Sequence, residues 1–186
     1  MNIGIYLYDG YYEVELAVLT MILKNHNVLY LSSDQNEITC MDGKRIVIDE
    51  KLDLIDADLI DALIIPGGNP IIKDDILNLI RACFSKNKII GGICGGVDYI
   101  AHSGILENLT YTGTYSKDKT YSHLPSNPPT YNLYETDENI VTSRHDGYLE
   151  FAMEIGRLLG EVDYEAVSFL NTWFKSPCKF KHVFND

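Results

Sequence analysis

Lys88-Ile89-Ile90-Gly91-Gly92-Ile93-Cys94-Gly95-Gly96-Val97-Asp98-Tyr99-Ile100-Ala101-His102 is the stretch that decides the fold. Lys88–Ile93 is a short apolar run without polar alternation, as in a strand covered on both faces. It runs straight into a helical pattern, with a cysteine at the junction and glycines on both sides. Gly92-Ile93-Cys94-Gly95-Gly96 has the G-x-nucleophile-x-G form of a nucleophile elbow, with Cys in place of Ser. The spacing has a steric cause: so sharp a turn forces the central residue into a strained backbone conformation and leaves room only for small neighbours. The turn lifts the sulfur to the sheet edge beside a helix N-terminus, where partial positive charge favours thiolate and is expected to lower the thiol pKa. The competing reading is a buried, inert cysteine at a tightly packed strand–helix junction.

The pattern repeats on the N-terminal side. Ile3–Tyr8 reads as a strand closed by Asp9-Gly10, and Glu13–Asn25 as a helix carrying Val14, Leu16, Ala17, Leu19 and Leu23. Val28–Ser32 is a second strand, and Ile46–Asp49 a short edge strand after a hairpin-like turn at Asp42-Gly43. Ala62–Ile65 is a buried strand ending in Pro66-Gly67-Gly68, followed by a helix over Ile76–Phe84. Strands alternating with helices of this length predict parallel crossovers: a three-layer α/β sandwich around a doubly wound, mainly parallel sheet. Thr110–Glu135, rich in Tyr, Thr, Ser, Asn and Pro, reads as loops and short strands. Ile140-Val141-Thr142 is a late strand and Gly147–Gly160 an amphipathic helix. A last helical segment at about Tyr164–Phe174 precedes an aromatic, locally basic tail that packs on its own domain or on a second subunit. The whole chain, residues 1–186, is expected to be one domain.

Composition excludes several functions. The 186 residues carry 15 Lys+Arg against 27 Asp+Glu, a formal net charge of −12. Such a chain is a poor partner for nucleic acid or for an anionic membrane surface. No apolar run is long enough to span a bilayer, and Met1-Asn2-Ile3-Gly4-Ile5-Tyr6 lacks the form of a secretory signal. Cys40, Cys83, Cys94 and Cys178 are scattered, with neither a C-x-x-C pair nor a histidine at ligand spacing. That suits reduced thiols in a cytoplasmic protein, with no metal and no cofactor.

Two features stand beside Cys94 as candidates. Pro66-Gly67-Gly68 ends a buried strand at the carboxyl edge where ligands bind in such sheets, and its amides together with that of Gly95 are suited to an oxyanion hole. The alternative is an ordinary Gly-rich turn. In Tyr11-Tyr12-Glu13-Val14-Glu15-Leu16, helical phase turns one of Glu13 or Glu15 inward. An ionised carboxylate beside the sulfur would oppose a thiolate, so such a pair works only if the acid keeps its proton, which burial favours.

The strand–Asp-Gly–Glu-x-Glu helix, Pro-Gly-Gly, the Cys elbow and Thr142-Ser143-Arg144 before a Phe151-containing helix occur in an order that resembles the ThiJ/PfpI superfamily. This is the branch of the class I glutamine amidotransferase-like, flavodoxin-like fold that includes the parkinsonism-associated deglycase. The resemblance covers about Met1 to Gly160, leaving about residues 161–186 as an extension. It implies that Cys94 is the reactive cysteine, that Glu15 rather than Glu13 is its buried acidic partner, and that the Gly68 and Gly95 amides, with Gly67 beside them, bind the oxyanion. It also implies a homodimer. One departure stands out. Hydrolytic members place a histidine shortly after the elbow helix, and here Gly113 falls about at that position, leaving His123 or His145 as substitutes from loops. His102 is expected at the end of the elbow helix, and His26 and His182 at the surface.

The reading that follows is a cysteine-dependent protein acting on small electrophilic carbonyl- or amide-type compounds in metabolism or stress response, whether glyoxalase-, deglycase- or amidase-like. Three others stay open: a redox-sensing cysteine without turnover, an amidase or peptidase using a non-standard histidine, and a degenerate binding module that keeps only the fold.

Overall fold

A computed structural model of the chain describes Met1–Glu161. The element order begins β1 (Asn2–Tyr6), α1 (Val14–Ile22), β2 (Asn27–Ser32), β3 (Glu37–Thr39), β4 (Arg45–Val47), β5 (Glu50–Lys51) and β6 (Ala62–Ile65). It continues with α2 (Asp74–Ser85), β7 (Ile89–Ile93), α3 (Gly96–Ser103), β8 (Tyr134–Asp137), β9 (Ile140–Ser143) and α4 (Tyr148–Leu158). Seven strands form one sheet in the order β5-β2-β1-β6-β7-β9-β8, parallel except for the antiparallel edge strand β8. β3 and β4 form a separate hairpin whose turn includes Gly43 at φ +86°.

The doubly wound α/β architecture read from the sequence is thus the fold of the described residues. α1 and α4 pack together on one face, α4 against β7 and β9, while α2 and α3 cover β6 and β7 on the other. The central strands are apolar because both faces are covered: Ile3, Ile5, Ile64, Ile65 and Ile90 are all fully buried. The long α4 sends Phe151 and Ile155, also fully buried, onto the sheet. Each such side chain contributes roughly 1.5–3 kcal/mol relative to exposure.

Several elements differ from the sequence reading. The edge strand expected at Ile46–Asp49 is β4 of the hairpin, off the main sheet, and β3, β5 and β8 add three short strands. Residues 110–133 hold no strand, only turns and bends. His26 is not a surface residue: its side chain is 4% exposed, with Nε2 3.5 Å from Glu161. The helix expected at about Tyr164–Phe174, the tail, Cys178 and His182 lie outside the described residues.

What this topology does for function is set by the chain reversal. After β1 the chain winds outward to β2, then returns to β6 on the other side of β1. Ligands of open α/β sheets bind at the carboxyl ends of strands beside such a reversal. The segments that leave β1, β6, β7 and β9 all emerge at that edge.

Candidate active site

The residue after β7 is Cys94, with φ +54°. A left-handed conformation costs a residue with a Cβ roughly 1–2 kcal/mol, so the turn is strained as an elbow requires. Two bonds hold it: the Cys94 N–H donates to the Ser143 carbonyl at 2.9 Å, and the Val97 N–H to the Cys94 carbonyl at 3.2 Å. The flanking glycines are needed for contact. A Cβ on Gly96 would lie 2.0 Å from the Ile65 carbonyl oxygen, against backbone that cannot yield. The helix can therefore start directly against the end of β6.

Glu15 comes from the first turn of α1. It is 3% exposed, and its Oε2 accepts the Gly67 N–H at 2.6 Å. Its carboxyl group is also hydrogen-bonded to the Cys94 side chain. Glu13 instead is half-buried and accepts the Tyr11 hydroxyl. Gly67 lies so close to both groups that a Cβ there would sit 2.5 Å from the Cys94 Cβ and 2.6 Å from the Glu15 Oε2. Three segments, the first two 52 residues apart along the chain, are thereby clamped into one site.

The electrostatics correct one expectation. Burial pushes the Glu15 carboxyl up to about 7, against the opposing hydrogen bonds from Gly67 and Cys94. Cys94 is not lowered by the helix start: burial first, then the charge of Glu15, push its thiol up to about 11, although Thr114 and the Gly95 N–H both hydrogen-bond the sulfur and pull the other way. Desolvation acts on the whole thiolate charge, whereas the eight-residue α3 supplies only the partial charge of its first turn. Part of that rise belongs to the carboxylate, so it vanishes when Glu15 carries the proton. Between about 7 and about 11 the pair therefore holds one proton, mainly on the sulfur, and the tautomer with a thiolate carries it on Glu15.

The remaining candidates divide. The Gly95 amide is at the sulfur. The Gly67 amide is occupied by Glu15, so it cannot serve an oxyanion while it holds that carboxyl; the amide of Gly68, at φ +144°, is the one left in the turn. His123 does not join Cys94. Its Nε2 is 2.9 Å from Asp98 Oδ1 on α3, its ring stacks on His102 at 4.5 Å, and Tyr115 donates to the same Asp98 oxygen at 2.8 Å. The tyrosine-rich loop forms this cluster over the helix and keeps His123 in it. At Gly113 a Cβ would come 2.4 Å from the Tyr115 ring, which occupies the space. Thr114, not singled out from the sequence, is the loop residue that reaches the sulfur. Nothing in the pattern Thr110-Tyr111-Thr112-Gly113-Thr114 distinguishes it from its neighbours.

Among the described residues no group of acidic, histidine or cysteine side chains is placed to hold a metal ion. No helix there is long and apolar enough to cross a membrane.

Fold and site together define a doubly wound α/β protein with a cysteine elbow and a buried glutamate at the chain reversal. The model of the DJ-1/PfpI family matches residues 1–158, and the chain belongs to that family. It is 30% identical over 159 residues to a Bacillus subtilis protein named an uncharacterized protease, covering 80% of this chain and 72% of that one. It is 26% identical over 155 residues to a deglycase of Thermococcus kodakarensis, covering 80% of this chain and 93% of the relative. Among solved structures, a DJ-1 superfamily protein of Agrobacterium tumefaciens superposes with a TM-score of 0.79 at 24% identity, over 94% of this chain and 98% of that one. A ThiJ/PfpI domain protein of Brachyspira murdochii gives 0.76 at 20%, over 87% and 98%. Likeness at that identity speaks for the fold.

Proposed function

We propose that the protein is a cysteine-dependent enzyme acting on small electrophilic carbonyl compounds, of which reactive dicarbonyls are the first class to test and amides the second. The observation that carries this is the strained Cys94 elbow with the Glu15 carboxyl on its sulfur. A carboxyl group that titrates near 7 is an acid and base suited to neutral pH. The names of relatives as deglycase and protease support chemistry at a carbonyl carbon.

In the step envisaged, Glu15 carries its own proton and the Cys94 sulfur is anionic. The sulfur forms a bond to the carbonyl carbon, and the π pair moves onto the oxygen. The N–H groups of Gly68 and Gly95 face that oxygen, and it takes the proton from Glu15, so an aldehyde becomes a hemithioacetal with atoms and charge balanced. Reversal of the same proton transfer releases the adduct. Replacing Cys94 with Ser or Ala is expected to abolish turnover of dicarbonyl and amide substrates. Turnover unchanged in both variants would refute the proposal.

A further inference from the structure

Among the described residues, the Glu15 carboxyl is one of two side chains hydrogen-bonded to the Cys94 sulfur. Thr114 hydrogen-bonds the Cys94 sulfur. Its hydroxyl also stands 3.2 Å from His145 Nδ1 and accepts the His145 backbone N–H at 3.1 Å. Two neighbouring bonds hold this arrangement. The Thr112 N–H donates to Thr142 Oγ1 at 3.0 Å, tying the loop to β9. The Ser143 carbonyl, two residues before His145, is the acceptor that holds the elbow amide. Loop, elbow and the start of the segment after β9 are therefore in register around one sulfur.

We infer that His145, acting through the Thr114 hydroxyl, takes the proton from Cys94. The inference rests on the reading of Cys94 as a nucleophile. In the resting direction, the Cys94 S–H donates to Thr114 Oγ1 and the Thr114 O–H donates to His145 Nδ1. Transfer along that line breaks the S–H bond and forms an O–H bond, while the original hydroxyl proton passes to Nδ1. The product is a thiolate, an intact threonine and an imidazolium, with the hydroxyl now donating to sulfur and the ring N–H donating to the hydroxyl. No atom is gained or lost. Glu15 and Tyr8 interact with the Cys94 sulfur, and Arg144 and Asp146, the sequence neighbours of His145, are paired with each other. His145 is exposed, so its proton exchanges freely with water. Thr114 touches the reacting sulfur, and His145 is a positioning residue that works through it.

The test is the rate of Cys94 alkylation by iodoacetamide from pH 6 to 10, followed by peptide mapping on the full chain. His145→Gln and Thr114→Val are each expected to slow it at pH 7 by about tenfold or more, short of the roughly 10²–10⁴-fold that a fully positioned proton transfer supplies. The two effects should not multiply in the double variant, because one path is cut in either case. Thr114→Ser, which keeps the hydroxyl, should restore most of the rate, and His123→Gln should leave it at the wild-type value. If Thr114→Val fails to fold, the exposed His145 substitution carries the test alone. A reactive Cys94 whose rate–pH profile is the same in wild type, His145→Gln and Thr114→Val overturns the relay and leaves the proposed function standing. An equal loss in His123→Gln also overturns it. A wild-type Cys94 that alkylates no faster than buried Cys83 overturns both readings together.

Discussion

Glu15→Gln tests the energetics of the site without removing its geometry. The amide is close in shape to the carboxyl, its oxygen can still accept the Gly67 N–H, and its NH2 group faces the sulfur. What it lacks is the proton equilibrium. In the folded chain the carboxyl is raised from 4.5 to about 7, chiefly by burial. At about 1.36 kcal/mol for each factor of ten in proton affinity, the buried carboxylate costs about 3 kcal/mol. The sign follows from proton counting. Between pH 4.5 and 7 the folded state holds a proton that the unfolded state has released. Stability from this group is thus complete below 4.5 and is lost as pH rises through about 7. The variant has no such loss. Its stability relative to wild type should therefore improve by about 3 kcal/mol between pH 4 and pH 8, which for a chain of this size is roughly 6–12 °C in Tm. Urea unfolding at five or six pH values, followed by far-ultraviolet circular dichroism, measures the difference directly. A difference curve flat to within about 0.5 kcal/mol across that range would show that Glu15 is ionised like a surface acid, and the reasoning would fail.

Gly67→Ala should cost about 1–3 kcal/mol of stability by overpacking and should separate Glu15 from Cys94, because the new methyl group would overlap both; thermal melting and the alkylation rate of Cys94 check the two parts. Phe151→Ala, at a fully buried position where α4 meets the sheet, should cost about 3–5 kcal/mol in urea unfolding and leave the alkylation rate of Cys94 in the folded protein unaltered.

The central architecture was legible because burial on both faces writes itself into composition. Ala62–Ile65 and Lys88–Ile93 are continuous apolar runs, and each is a strand within a residue of its expected bounds. β3, β5 and β8 were not legible. They have two to four residues, include Glu37, Glu50 and Glu135, and exist because a neighbouring edge offers hydrogen bonds, as β2 does for β5 through Leu31 and Glu50. At the site, the elbow could be read from its glycines, since sterics is local. The choice between Glu13 and Glu15 could not be made by phase alone: the Gly67 amide, which arrives from fifty residues away, fixes it. The direction of the Cys94 shift was misread for the same reason. A helix start is visible in sequence, whereas the desolvation that outweighs it is a property of the packed whole. His123 was drawn off by Asp98, and Thr114 gained its place, through a loop path that no spacing encodes.

Competitive labelling tests most directly whether the Cys94 sulfur is the atom that meets an electrophilic carbon. The protein is treated at pH 7.5 with substoichiometric iodoacetamide, with and without a small 2-oxoaldehyde, and the label on each cysteine is quantified by peptide mapping. The account predicts that Cys94 is labelled ahead of Cys40 and Cys83, and that the aldehyde slows labelling at Cys94 alone. Label spread evenly over the cysteines, or a Cys94 whose labelling is indifferent to the aldehyde, would contradict it.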